Sequence, residues 1–349
     1  MIPVNIKGRQ INRQTPPYVI AEVAQTHEGS LGNALAFIDI AKDCGCDAIK
    51  FQTHIAAEES TPSESWRIKF SLQDESRYKY WERTQFTFDQ WDLLKRHADN
   101  RGIHFISSPF SLEACRWLSK IGVSAWKLAS GEVNNPEIIN WMCDTGLPII
   151  ISSGLTNQLQ IKSRVESFLE RGTPIALLHC TTKYPTPPNE IGLNIIEQMV
   201  RDYSSMPIGL SDHSGSIVPS IISTYLGAAI IEVHITMYKR MFGPDVSSSH
   251  TPESLAALVS GVKEAWKIKY NPVNKESQLK GLNQEICIFG RSWFTKGEIA
   301  AGNVITENDI AYKKPGGGLN YENKNIIIGK KAAVNLHVNH QIEIKDLEK

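Results

Sequence analysis

The stretch PIGLSDHSGSIVPSIISTYLGAAIIEVHI, residues 207–235, sets two short apolar runs on either side of a longer segment. The runs, PIGLSD (207–212) and AIIEVH (229–234), have the length of strands, and the segment between them has the length of a helix. Reading outward, the same alternation recurs upstream. YVIAEV (18–23), DAIKFQ (47–52), IHFISS (103–108), AWKLAS (125–130), PIIISS (148–153) and IALLHC (175–180) are further apolar runs. Amphipathic segments such as LGNALAFIDIAKDCG, SLEACRWLSKIG and NPEIINWMCDTG lie between them. Eight strand–helix repeats predict a TIM (β/α)8 barrel, an α/β fold. A doubly wound open sheet is the alternative, because strand order is not written directly in the sequence.

A second pattern favours the barrel. Nearly every run ends in, or is followed by, polar or ionisable residues: Glu22; Lys50 and Gln52; Ser107 and Ser108; Lys127 and Ser130; Ser152 and Ser153; Tyr184; Ser211, Asp212 and His213; Glu232 and His234. In a parallel barrel all eight carboxyl ends share one rim, so these groups would converge. Random surface polarity would not be tied to one end of each strand.

The rest of the chain sets bounds. Lys+Arg and Asp+Glu are both 37 in 349 residues. That balance argues against a nucleic-acid partner, which calls for a basic excess. No apolar run is long enough to cross a bilayer, and MIPVNIKGRQ lacks a signal peptide's apolar core, so no membrane partner and a cytoplasmic location are expected. The six cysteines form no pair of CxxC motifs and read as buried core residues in a reducing compartment. Residues 1–270 read as the barrel domain and NPVNKESQLKGLNQE (271–285) as a polar linker. Residues 286–349, rich in turns and short β-type runs, read as a small, mostly β domain.

Chemistry is expected where the strand ends meet. His213 and His234 end consecutive strands, so both imidazoles can reach one divalent metal and leave positions open for water and a substrate oxygen. Lys50 and Lys127 lie in apolar runs, where an anion must neutralise them. With Ser108, Ser130, Ser152 and Ser211 they suggest a phosphate and carboxylate cradle. Either lysine could instead form a Schiff base. Glu22 is a candidate proton-handling carboxylate or a salt-bridge partner for a lysine. His27 reads as orienting a loop or lying exposed.

These residues sit in a recognisable series. IAEVAQTHEGS, CDAIKFQ, SSPFS, KLASGEVNN, ISSGL, LLHCTTKYPTP, GLSDHSG, IEVHIT and MFGPD resemble, in order, the motifs of the N-acetylneuraminate (sialic acid) synthase family. GRSWFTKGEIAAGNVIT is similar to the start of that family's carboxy-terminal antifreeze-like, or SAF, domain. The resemblance implies an enzyme that condenses phosphoenolpyruvate with N-acetylmannosamine or a related N-acylated amino sugar and releases phosphate. It implies catalytic roles for Glu22, His213 and His234, the two histidines holding a divalent metal, Mn2+ most often, with Mg2+ or Co2+ as alternatives. Lys50, Ser108, Lys127, Ser130, Ser152, Thr182, Tyr184 and Ser211 match positions that bind phosphoenolpyruvate. Gln52, Glu232, Asp245 and Lys314 match positions that contact the sugar, Lys314 in the partner's site of a domain-swapped homodimer. Thr26 replaces the family's usual Asn, Ser108 its Thr, Thr182 an Asn or Ser, and Lys314 an Arg. Lysine keeps that charge without the planar fork. Legionaminate and pseudaminate synthases are alternatives, KLASGEVNN being nearer the sialic and legionaminic types. The rivals outside the family are a Schiff-base pyruvate aldolase and a non-enzymatic glycan- or ice-binding protein.

Overall fold

Side-chain alternation decides what each face of the sheet holds. The computed structural model describes residues 3–348. After an antiparallel hairpin of β1 (Asn5–Ile6) and β2 (Arg9–Gln10), eight parallel strands follow. They are β3 (Tyr18–Glu22), β4 (Ala48–Thr53), β5 (His104–Pro109), β6 (Trp126–Leu128), β7 (Ile149–Ser152), β8 (Ile175–Cys180), β9 (Ile208–Asp212) and β10 (Ile230–His234). Each pairs with the next, and β10 pairs back onto β3, closing the barrel. All eight apolar runs are strands, and the open-sheet alternative is excluded by that closure. Outward-facing Val19, Ile49, Phe51, Phe105, Trp126, Ile149, Leu177, Leu210 and Ile231 join one core with the surrounding helices. Inward-facing Tyr18, Ile20, Ala48, Ile106, Ile150, Leu178 and Ile230 form a separate inner core. Strand residues two apart share a face, so the polar positions Glu22, Lys50, Lys127, Ser152, Ser211 and Glu232 continue the inner side upward.

The helices between strands are α1 (Leu31–Asp43), then α2 (Ala56–Glu59), α3 (Arg77–Thr84) and α4 (Phe88–Arg101) in one long connection. After these come α5 (Leu112–Ile121), α6 (Pro136–Asp144), α7 (Gln158–Glu170), α8 (Leu193–Asp202), α9 (Ile217–Leu226) and α10 (Pro252–Tyr270). Short polar caps start several of them: Ser30 accepts from Asn33 N–H, Ser111 from Ala114 N–H, and Thr87 makes a reciprocal capping box with Gln90.

One inner-layer position requires glycine. A Cβ on Gly209 would fall 2.4 Å from the Ile230 carbonyl oxygen and 2.5 Å from Leu178 Cδ2. At the amino end, Val4, Ile6 and Ile11 pack with Tyr18 and Ile20 and close the barrel floor. Asp47 holds Arg9 and accepts the Val19 N–H at 2.8 Å, tying the hairpin to the strands.

The chain divides between Asn271 and Pro272. The segment read as a linker is not plain coil: it contains α11 (Lys275–Lys280), and α12 (Asn283–Phe289) begins within it. Regular strand in residues 286–348 is confined to β11 (Ser292–Thr295) paired with β12 (Ile310–Lys313). Isolated bridges such as Ile299↔Leu336 and Ala332↔Leu347 and the short α13 (Lys324–Ile327) complete it. Trp293, Ile299, Ile305, Ile310, Ile327, Leu336 and Ile342 form its own core. Less of it is strand than its composition suggests, because turns and bridges replace ladders. No helix among the described residues is long and apolar enough to cross a membrane.

Candidate active site

At the carboxyl ends of the barrel strands a cleft of about 430 Å3 opens. Its floor is a buried charge network. Lys50 Nζ pairs with Glu22 Oε2 and stands 3.8 Å from Glu232 Oε1. Lys127 Nζ lies 3.7 Å from that same Glu232 oxygen. Lys127 also donates to Ser152 Oγ at 2.6 Å, and Ser211 Oγ donates to Glu232 Oε1 at 3.2 Å. Two lysines and two carboxylates therefore neutralise one another out of water, the condition under which buried charge is tolerated. The network is not saturated: Glu232 Oε2 and Ser108 Oγ are buried without a hydrogen-bond partner.

Burial sets the protonation of this floor. It pushes the Glu22 carboxyl up to about 7, against the pull of Lys50 and with the Glu232 charge adding to the rise. For Glu232 burial acts the same way, but Lys127 and Lys50 outweigh it and hold the group below the usual carboxylate range. Burial also lowers Lys127. In Lys50 that effect is overcome by Glu22 and Glu232, which raise it.

The histidines line the same cleft, His213 just past β9 and His234 at the end of β10. The rings of His213 and His234 lie 5.2 Å apart between centroids, at 67°. Tyr184 stacks on His213 at 4.1 Å and meets His234 edge-on. Burial lowers both imidazoles to about 3, so both are neutral near pH 7. His213 Nδ1 faces the Thr181 carbonyl oxygen at 2.9 Å. A carbonyl only accepts, so Nδ1 carries the proton and the Nε2 lone pair is free. His234 Nδ1 is buried without a partner. Two neutral imidazoles with nitrogen positions to spare fit a divalent metal of the borderline class. No group of three or more His, Cys, Asp or Glu side chains among the described residues is arranged to hold an ion. Water and substrate would have to complete its shell.

The cleft brings together Lys50, Gln52, Ser108, Lys127, Ser130, Ser152, Thr182, Tyr184, Ser211, His213, Glu232, His234 and Asp245. Glu22 and Lys314 are not among the lining residues. Glu22 is only 1% exposed and is paired with Lys50. Lys314 is exposed in the carboxy-terminal unit, its Nζ 5.8 Å from the centre of the Phe289 ring. His27 is neither exposed nor in the cleft: it is buried against Phe86 and accepts the Gly29 N–H at 3.0 Å, which fixes its loop. Gly154 keeps one corner open, since a Cβ there would lie 2.4 Å from Thr182 Oγ1 and 2.9 Å from Ser130 Oγ.

Sequence reasoning missed three features. Cys180 ends β8 and lines the cleft, although it reads as a core residue. Its position at a strand end was the available signal. Arg67 lies over the Tyr184 ring at 4.4 Å and pairs with Asp245 at 2.7 Å. His54 sits between Trp81 and Phe110. Arg67 comes from the irregular chain between α2 and α3, where no periodicity marks which side chains turn inward, and Trp81 from the two-turn helix α3.

A closed (β/α)8 barrel whose carboxyl rim gathers buried lysines, carboxylates, hydroxyls and paired neutral histidines defines a barrel enzyme. The chain belongs to the NeuB family, whose match spans residues 37–273. It is 32% identical over 323 residues to the N,N'-diacetyllegionaminic acid synthase of Campylobacter jejuni, covering 91% of this chain and 96% of that protein. It is 30% identical to the human N-acetylneuraminate-9-phosphate synthase, covering 94% and 91% of the two chains. Among solved structures, the N-acetylneuraminic acid synthetase of Leptospira borgpetersenii, in complex with citrate, superposes with a TM-score of 0.71 at 29% identity. That match covers 81% of this chain and 96% of the other.

Proposed function

We propose that this chain is a nonulosonic acid synthase. It condenses phosphoenolpyruvate with the open-chain form of N-acetylmannosamine or a related N-acylated amino sugar, releasing phosphate. The observation that carries this reading is the Lys50–Glu22–Glu232–Lys127 network beneath hydroxyl-lined walls, with two neutral imidazoles facing the same cleft. Lys50 and Lys127, with Ser108, Ser130, Ser152, Thr182 and Ser211, supply charged and neutral donors for a ligand that bears both a phosphate and a carboxylate. Tyr184 walls this pocket on the histidine side. His213 and His234 would hold a divalent cation, Mn2+ with Mg2+ or Co2+ as alternatives, which when bound supplies Lewis-acid polarisation of a carbonyl oxygen.

The cradle orients the enol carbon toward the aldehyde carbon, where the new C–C bond forms. Water adds at the adjacent carbon, and the C–O bond to phosphate breaks. Orientation and stabilised charge are the main contributions of these side chains. Glu22 holds or yields a proton at the carboxylate facing Lys50 Nζ, and near neutrality both of its forms are populated. Gln52, Glu232 and Asp245 face the amino sugar. The carboxy-terminal unit is assigned as a SAF-type domain that covers a partner's cleft in a homodimer and presents Lys314. Its support is the GRSWFTKGEIAAGNVIT resemblance and the exposure of Lys314 and Phe289.

Phosphate release tests the reading. The purified protein is incubated with phosphoenolpyruvate, Mn2+ and a panel of N-acetylmannosamine and the di-N-acylated sugars that lead to legionaminic and pseudaminic acids. One sugar should give phosphate and a ketoacid in equal amounts, with none from phosphoenolpyruvate alone. Borohydride trapping of pyruvate on Lys127 or Lys50, with no phosphate from any sugar, would replace this reading with a Schiff-base aldolase.

A further inference from the structure

Gln52 faces the cleft from the end of β4, and its side chain is fixed from behind. His54 lies flat between Trp81, at 4.2 Å and 20°, and Phe110, at 4.4 Å and 12°. Its Nδ1 stands 2.5 Å from Glu59 Oε1, and its Nε2 stands 3.2 Å from the Gln52 amide oxygen. The other Glu59 oxygen accepts the Ile55 N–H at 3.4 Å. The Glu59 side chain is 8% exposed and that of His54 is 6% exposed, so water competes little for this pair. A carboxylate only accepts, so Nδ1 carries a proton, and Nε2 then meets the Gln52 amide in one of two ways: a neutral ring accepts from its NH2 end, and a doubly protonated ring donates to its oxygen. A side-chain amide has a donor end and an acceptor end, and half a turn about its last bond exchanges them. Holding one end decides which end the cleft receives. It also removes freedom that a loose glutamine would lose on binding.

We propose that His54, backed by Glu59, is a positioning residue for the amino sugar: it fixes the Gln52 amide toward that substrate and sets affinity for the sugar but not for phosphoenolpyruvate. This rests on the reading of the cleft as a two-substrate synthase site. The aromatic sandwich and the carboxylate are together more than packing requires. Trp81 and Phe110 would accept any flat ring, whereas the Glu59–His54–Gln52 chain needs both ring nitrogens.

The test is His54→Phe, which keeps a flat ring and removes both nitrogens. The KM for the sugar should rise about tenfold, the scale of one lost hydrogen bond, with the KM for phosphoenolpyruvate unchanged. Gln52→Ala should raise the sugar KM similarly, and the double variant should be no worse than Gln52→Ala alone, because both act through one contact. An unchanged sugar KM in His54→Phe, an equal rise for both substrates, or additive losses in the double variant would overturn the proposal. Should His54→Phe fail to fold, Glu59→Ala leaves the stack and carries the same expectation. A second readout needs no activity. In 15N-labelled protein without substrate, the Gln52 side-chain amide signals should move in His54→Phe, and signals that stay put mean the contact is absent. A wild-type protein that releases no phosphate with any sugar of the panel defeats the functional reading, and the amide signals still decide the contact.

Discussion

Lys50 and Lys127 are buried in the floor of the cleft and are tolerable there because Glu22 and Glu232 pair with them. That pairing fixes what a change at Glu22 does. Glu22→Gln keeps the shape of the side chain and leaves Lys50 with Glu232, but the amide exchanges no proton near neutral pH. Turnover should fall by at least about a hundredfold, the scale of a lost acid–base group, while phosphoenolpyruvate binding measured by calorimetry stays close to wild type. Turnover near wild type would remove Glu22 from the proton transfers. The serines and histidines were legible because they stand at or just past the ends of apolar runs, and the lysines because they lie within such runs, whose ends a barrel brings together. That Glu22 is buried out of the cleft lining was not legible, because a strand pattern gives the face of the sheet but not how far a side chain is covered. Arg67 was not legible either, since its pairing with Asp245 spans 178 residues of chain and begins in an irregular loop.

Strand β9 shows how one element sets both stability and site. Gly209 supports the inner layer beneath Ser211, and His213 follows two residues beyond on the same face. Gly209→Ala would press a methyl into the Ile230 carbonyl and Leu178, an overpacking expected to cost about 1–3 kcal/mol. The thermal midpoint should drop, and a midpoint equal to wild type would show that β9 and β10 have room to spare. Short continuous apolar runs bounded by polar residues made all eight barrel strands readable, because each strand is buried on both faces. The carboxy-terminal elements were harder. Helices α11 and α12 are short and largely exposed, so no apolar stripe announces them in a polar segment. The small domain holds its core by single bridges, which leave no run of alternating residues to read.

The chain as a whole divides at Asn271, and residues 1–271 contain every cleft residue. A protein ending at Asn271 should fold and bind phosphoenolpyruvate yet turn over poorly, because an open cleft admits water that weakens its electrostatic contacts. Full turnover by that fragment would mean the carboxy-terminal unit plays no part in the reaction. If the unit acts on a partner's cleft, mixing Glu22→Gln with an impaired Lys314→Ala protein restores part of the activity, since one site in each mixed dimer has two undamaged contributors. No recovery, once subunit exchange is shown, would place Lys314 on its own barrel or on none. Exhaustive chelation should abolish activity and Mn2+ should restore it, through His213 and His234. Full turnover by protein shown to be metal-free would reject that assignment. The sharpest measurement labels the bridging oxygen of phosphoenolpyruvate with 18O and weighs both products by mass spectrometry. Condensation with water adding at the enol-ether carbon predicts all of the label in phosphate and none in the nine-carbon acid. Label retained in the acid, or an acid formed without phosphate, would contradict the synthase reading of the barrel mouth.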